Sequence, residues 1–300
     1  MIHVPEELAA SQAKYNGAAG RAFVAALPAL TETFLDRWDL DVTGEAMHGV
    51  ASLVLPVRKA GTPAVLKLQL LDEESEGEAE ALRVWNGDGS VRLLDHDPET
   101  GTMLLERAGP PPHPPTHLST HPDPREAVRV LADLLATLTS PQAPAGLRTL
   151  SAVATRMLAD TPAAAARLAP DDAALLTTCA AAVRDVLPEP GDRLLHWDLH
   201  YDNILAAERA PWLSIDPKPL SGDPGFDLLP ALTDLWNPDP AETLWRFDLL
   251  TDRLDLDRTR ARAWTLGRVL QNALWDVEDG EPSLAPNQVS IARTLLTRGS

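Results

Sequence analysis

The sequence predicts an α+β fold in two lobes, a small N-terminal lobe built on an antiparallel sheet and a larger, mainly helical C-terminal lobe. Three observations predict it. Short β-type runs with glycine-bearing turns are confined to Asp39–Ala108. The next stretch, Gly109 to Pro124, holds seven prolines, and beyond it helical periodicity dominates. The expected division is therefore 1–108, a sheet lobe with leading helices, and 109–300, a mainly helical lobe.

Taken in order, Phe23, Ala26, Leu27, Leu30, Phe34 and Leu35 recur at helical spacing, so helices open the chain. Ser52–Val57, Ala64–Leu70 and Thr102–Glu106 read as strands, with an acidic helix candidate among them. Prolines remove backbone donors and fix φ, so Gly109–Pro124 is expected to be an extended surface connection. His113, His117 and His121 fall there; their spacing would align ligands only on a helix, which the prolines forbid, so they predict no metal site. Val128, Leu131, Leu134, Leu135 and Leu138 mark one amphipathic helix. Leu175, Cys179, Ala182, Val183 and Val186 mark another. Arg193–Leu195, Ile204–Ala206 and Trp212–Ile215 read as small strands flanking polar loops.

Composition bounds the partners. The 26 basic and 44 acidic residues give a net charge of −18, which opposes phosphate backbones and anionic membrane surfaces and favours a cationic ligand. Neither nucleic acid nor membrane is an expected partner. Cys179 is the sole cysteine, so no intramolecular disulfide can form, and its alanine-rich setting places it in the core. The N-terminus lacks a signal-peptide pattern and no apolar run approaches the ~18 residues that span a bilayer, so a cytoplasmic protein is expected. A monomer is slightly favoured.

The densest polar chemistry is His196-Trp197-Asp198-Leu199-His200-Tyr201-Asp202-Asn203. An aspartate and an asparagine five residues apart on a loop between short strands are what phosphoryl transfer requires: Asp198 to accept the proton of an attacking hydroxyl, Asn203 to ligate Mg²⁺. Asp216, thirteen residues beyond Asn203 at the end of an apolar strand, supplies a second metal-binding carboxylate. Upstream, Lys67 stands between apolar neighbours on a strand, placed to reach the α- and β-phosphates of ATP. Glu78 is the preferred acid to orient Lys67, with Glu76 and Glu80 as competitors.

These residues carry a resemblance. His196–Asn203, Ile215-Asp216-Pro217-Lys218-Pro219-Leu220 with Gly222-Asp223-Pro224, and Phe226-Asp227-Leu228 are similar to strings of the aminoglycoside phosphotransferase family, in its streptomycin and hydroxyurea kinase branch. The resemblance extends loosely upstream to Gly44 and implies a bilobal protein-kinase-like fold with ATP between the lobes. By that resemblance, backbone groups near Glu106 and Ala108 would hold the adenine, while His196 and Asp227 would support the catalytic loop. His200 would contact phosphate or pack. Two positions depart from the pattern. Trp197 stands where the family commonly has glycine, implying a bulkier floor beside Asp198, and Gly44–Gly49 is a sparse glycine-rich loop that reads equally as a β-turn pair.

Asp227 follows Asp216 by eleven positions, too few for the activation and docking segment of a protein kinase, so a small acceptor is expected. From Asp223 to Glu281 thirteen acids face six arginines, and Asp276, Glu278, Asp279 and Glu281 could ligate guanidinium or ammonium groups. The expected function is transfer of the ATP γ-phosphate to a hydroxyl of a streptomycin-type aminoglycoside, with antibiotic resistance as the consequence. Hydroxyurea, an amino sugar or another metabolite are alternative acceptors. A pseudokinase leaves the intact set Lys67, Asp198, Asn203 and Asp216 unexplained; a metalloenzyme built on His196, Asp198 and His200 leaves Lys67, Asn203 and Asp216 without work.

Overall fold

The computed structural model describes residues 3–49, 51–109 and 116–298. The chain forms two compact units: Met1–Thr116 with Ala206–Leu213, and His117–Leu205 with Ser214–Ser300.

The first unit opens with α1 (Glu6–Tyr15) and α2 (Gly17–Trp38), followed by β1 (Leu40–Val42), β2 (Met47–His48), β3 (Ser52–Lys59) and β4 (Thr62–Gln69). Then come α3 (Glu78–Trp85), β5 (Leu93–Asp97) and β6 (Thr102–Glu106). The sheet runs β1-β3-β4-β6-β5, with β2 also on β3, and every pairing is antiparallel. The register of β3 and β4 is set by a two-residue turn in which Ala60 (φ 48°) and Gly61 (φ 83°) both have positive φ, the backbone twist that matches a hairpin. Strand side chains alternate, so Leu53, Leu55, Leu66 and Leu68 pack with Leu8 of α1 and with Leu27 and Phe34 of α2. The two helices approach so closely at Gly20 that a Cβ there would lie 2.1 Å from the Gln12 carbonyl oxygen.

The second unit contains α4 (Pro124–Leu138), α5 (Leu150–Ala165), α6 (Pro170–Val186) and β7 (Arg193–Leu195). Next along the chain are β8 (Ile204–Ala206) and β9 (Trp212–Ser214), which pair with each other at the two ends of the Ala206–Leu213 segment, and β10 (Leu220–Gly222), which pairs with β7. Four helices end it: α7 (Leu229–Thr233), α8 (Pro240–Arg253), α9 (Arg258–Glu278) and α10 (Pro286–Thr297). Helices α5 and α6 pack on α9, burying Cys179, Val183, Trp264 and Leu270. The Asp123 side chain caps α4 by accepting the Arg125 and Glu126 N–H groups.

Several expectations are revised. Strands β1, β2 and β5 were not predicted, because the first two are shorter than any periodicity window and β5, Leu-Leu-Asp-His-Asp, is half-exposed and polar. The Gly109–Pro124 stretch is not uniformly extended: Leu118–Thr120 is a 3-10 turn, and Leu118 is fully buried. Residues 110–115, His113 among them, lie outside the described residues. At Gly49 the backbone N–H donates to Ser52 O at 3.0 Å and closes the β2–β3 connection, so that amide serves the turn.

Candidate active site

In the first unit, the alternation that sends Leu66 and Leu68 into the core turns Lys67 to the opposite face of β4. Its ammonium lies 2.7 Å from both carboxylate oxygens of Glu78, the first residue of α3, and Gln69 Nε2 donates to Glu78 Oε2 at 2.9 Å. The pair is sealed, with side chains 5% and 2% exposed. Ions so buried are tolerated where every charge has partners, as here. Glu76 and Glu80 are exposed, and Glu80 bonds Arg83 instead, so Glu78 is the acid that meets Lys67.

At the end of β6 the Glu106 carboxylate is occupied. It accepts Arg209 Nε at 2.9 Å, Arg209 Nη2 at 3.0 Å and the Arg92 backbone N–H at 3.0 Å. Burial would raise this carboxyl, but Arg209 and the Arg92 amide outweigh it and hold it below the usual range. Arg209 also donates to the carbonyls of Gly87 and Ser90, at 2.8 and 2.9 Å. The Glu106 N–H donates to Arg92 O at 2.9 Å, and Ala108, two residues on, is buried.

In the second unit, β7 leads into the polar loop. Asp227, fully buried, accepts the N–H of His196 at 2.8 Å and that of Trp197 at 3.1 and 3.2 Å. His196 Nε2 lies 3.1 Å from Ile215 O, and Ile215 N donates to Asn203 O at 2.9 Å, which ties the Asp198 and Asp216 segments together. Burial pushes His196 down to about 4 and Asp227 up to about 6, the latter against the pull of its two amide donors and Arg268. Further along, Tyr201 N donates to Asp234 Oδ2 at 2.7 Å.

Asn203 Nδ2 donates to Asp198 O at 2.9 Å, so the amide nitrogen is spent inside the loop and the oxygen is the atom left to present to a cation. Asp216 sits at φ 56°, a left-handed conformation that aspartate tolerates. An amide oxygen and a carboxylate are hard oxygen donors, the kind Mg²⁺ prefers when phosphates complete its shell. Asp198 is half-buried, and Lys218 Nζ donates to its Oδ2 at 2.9 Å. Burial alone would raise Asp198, but Lys218, with His200 and Arg268, holds it below the ordinary carboxylate range.

Trp197 directly precedes Asp198 in the loop. At φ 62°, where glycine is at ease, its indole is buried with Arg148 stacked 3.6 Å from the ring centroid, Arg268 at 5.2 Å and the Trp275 ring at 6.0 Å. Left-handed backbone costs a non-glycine residue roughly 1–2 kcal/mol, which these contacts offset. Among the described residues no three His, Cys, Asp or Glu side chains gather as a metal site, so the alternating His196, Asp198 and His200 form none.

Sequence reasoning missed Arg148, Arg209, Asp234 and the role of Lys218. Only Lys218 carried a signal, lying two residues past Asp216 between two prolines. The others are brought in from 33 to more than 100 residues away, as in the Tyr201–Asp234 pair separated by 33 positions and the Arg209–Glu106 pair separated by 103.

The family profile described as aminoglycoside/hydroxyurea antibiotic resistance kinase matches residues 37–280. A hydroxyurea phosphotransferase of Kitasatospora aureofaciens is 57% identical over 99% of this chain and 87% of its own length. A streptomycin 6-kinase of Streptomyces glaucescens is 54% identical over 98% of this chain and 97% of its own. Among solved structures, an aminoglycoside phosphotransferase held with ADP and hygromycin B superimposes with a TM-score of 0.60, covering 90% of this chain and 98% of that one at 14% identity. That likeness establishes the protein-kinase-like fold.

Proposed function

Because the chain belongs to the aminoglycoside/hydroxyurea antibiotic resistance kinase family, we propose that it transfers the γ-phosphate of ATP to a hydroxyl of a streptomycin-type aminoglycoside. The observation that carries this reading is the retained set of groups: a sealed Lys67–Glu78 pair, and an Asp198–Asn203 loop locked by Asp227 beside Asp216. A protein without turnover has no use for all of them.

Lys67, oriented by Glu78, binds the α- and β-phosphates, and main chain between Glu106 and Ala108 binds the adenine. Asn203 and Asp216 hold Mg²⁺, which when bound neutralises phosphate charge. Asp198 hydrogen-bonds the acceptor hydroxyl and takes its proton while the new O–P bond forms and the bond from the γ-phosphorus to the β-bridging oxygen breaks. The products are ADP and a phosphate ester. Held ionised by Lys218, Asp198 serves to orient the hydroxyl as much as to remove its proton.

A cationic acceptor suits the carboxylates at the end of α9. Asp276 is pushed up by burial and by Glu281 and Asp279, so three acids crowd one residue beyond Trp275, whose ring lies 6.0 Å from that of Trp197. A guanidinium or ammonium there would relieve the repulsion. Hydroxyurea is the second reading, favoured by the 57% identity to a hydroxyurea phosphotransferase. No helix among the described residues is long and apolar enough to cross a membrane; a cytoplasmic monomer is the state we propose.

The test is ADP release from MgATP with streptomycin, other aminoglycosides, hydroxyurea and amino sugars, with Asp198→Ala as background. Release with streptomycin supports the main reading; release with hydroxyurea alone transfers it to the second. No acceptor-dependent release would remove both.

A further inference from the structure

We propose that Lys218 is a catalytic residue, whose ammonium contacts the phosphoryl group in transit while it holds Asp198. The inference rests on the kinase reading and adds to it a cation that the roles of Lys67, Asn203 and Asp216 do not include.

The first argument is reach. Lys218 Nζ sits 2.9 Å from Asp198 Oδ2, and the hydroxyl that attacks phosphorus is hydrogen-bonded to the same carboxylate. In an in-line transfer the reacting oxygen and phosphorus start about 3–3.5 Å apart, so the equatorial phosphoryl oxygens come within the span of an ammonium tethered to that carboxylate. One ammonium has three donors and can bridge a carboxylate and a phosphoryl oxygen together. The side chains of Lys218 and Asp198 are 39% and 25% exposed, so substrate can reach them.

The second argument is preorganisation. The Lys218 backbone is held at both ends: its N–H donates to His196 O at 3.0 Å, and Arg148 Nη2 donates to its carbonyl at 3.1 Å. Arg148 Nε also donates to Pro219 O at 3.4 Å, and Pro217 and Pro219 fix φ on either side. A surface lysine that only solvates a loop needs none of this.

The third is charge. In a chain of net charge −18, Lys218, Arg148 and Arg268 converge on the Trp197–Asp198 step. The negative charge that spreads over the phosphoryl oxygens in the transition state is what such a grouping would stabilise.

The test is a double-mutant cycle, run with the acceptor that gives the wild type its greatest ADP release; if none does, it is run on slow ATP hydrolysis to water, so failure of the acceptor reading does not decide this one. Lys218→Met should lower kcat by about 100-fold with both KM values within about threefold, and Lys218→Arg should recover about tenfold. Retention by Lys218→Met of more than a tenth of wild-type kcat would overturn the proposal. In an Asp198→Asn background, Lys218→Met should cost at least a further tenfold, followed by transfer of labelled phosphate over hours. A smaller additional loss would mean that Lys218 acts only through Asp198. Coincident thermal melts of the variants and the wild type exclude loss of fold.

Discussion

Asp227 Oδ2 accepts the main-chain N–H of His196 at 2.8 Å, and both side chains are fully buried with protonation shifted in opposite senses. Asp227, raised from 3.8 to about 6, contributes stability that is present below pH 4 and lost as pH rises through 6. His196, lowered from 6.5 to about 4, contributes stability that is present above pH 6.5 and lost as pH falls through 4. The windows overlap, and each group is worth roughly 3 kcal/mol across its own. His196→Asn should therefore lose stability relative to the wild type as pH rises from 4 to 6, and Asp227→Asn should gain it. Urea unfolding at a series of pH values reads this; difference curves without slope would show that neither group titrates as described.

Breaking the Lys67–Glu78 pair from one side leaves a buried charge. Lys67→Met or Glu78→Leu alone should cost about 3–5 kcal/mol, and the double variant clearly less than the sum. Chemical denaturation of the four proteins measures the coupling; additivity would mean the pair is not sealed.

Arg209→Ala should release the Glu106 carboxylate and the Gly87 and Ser90 carbonyls together. If this stretch holds adenine, KM for ATP rises about tenfold while kcat stays within about threefold, since the loss is one of uniform binding. A fall in kcat at constant KM would place Arg209 in another role.

Trp197→Gly removes both a strained φ and a stacked indole. Truncating a buried tryptophan costs about 3–5 kcal/mol, and relief of the left-handed backbone returns about 1–2. A net loss of about 1–4 kcal/mol is expected, smaller than for Trp197→Ala, which keeps the strain. Equal losses in the two variants would show that the backbone at 197 is not strained.

The linear order of residues by itself determined the chemistry that is local. Asp198 and Asn203 lie five positions apart and Asp216 follows the end of the next apolar strand by two residues, so loop and strand geometry alone bring their segments together. Lys67 was legible because period-two alternation forces a residue between Leu66 and Leu68 to the other face. Helical periodicity marked α4 and α6 for the same reason, whereas β1, β2 and β5 are too short or too polar to impose a pattern. What tertiary structure decided is which charges meet. Glu76, Glu78 and Glu80 are equivalent in composition, and the start of α3 placed Glu78 against Lys67 while the other two face solvent. Trp197, read from the sequence as a bulky floor beside Asp198, has its indole buried under Arg148 at a positive φ that no side-chain pattern encodes. Arg209 on Glu106 and Lys218 on Asp198 join groups 103 and 20 residues apart, and partners at such separations are chosen by the packing of whole elements, which spacing along the chain does not carry.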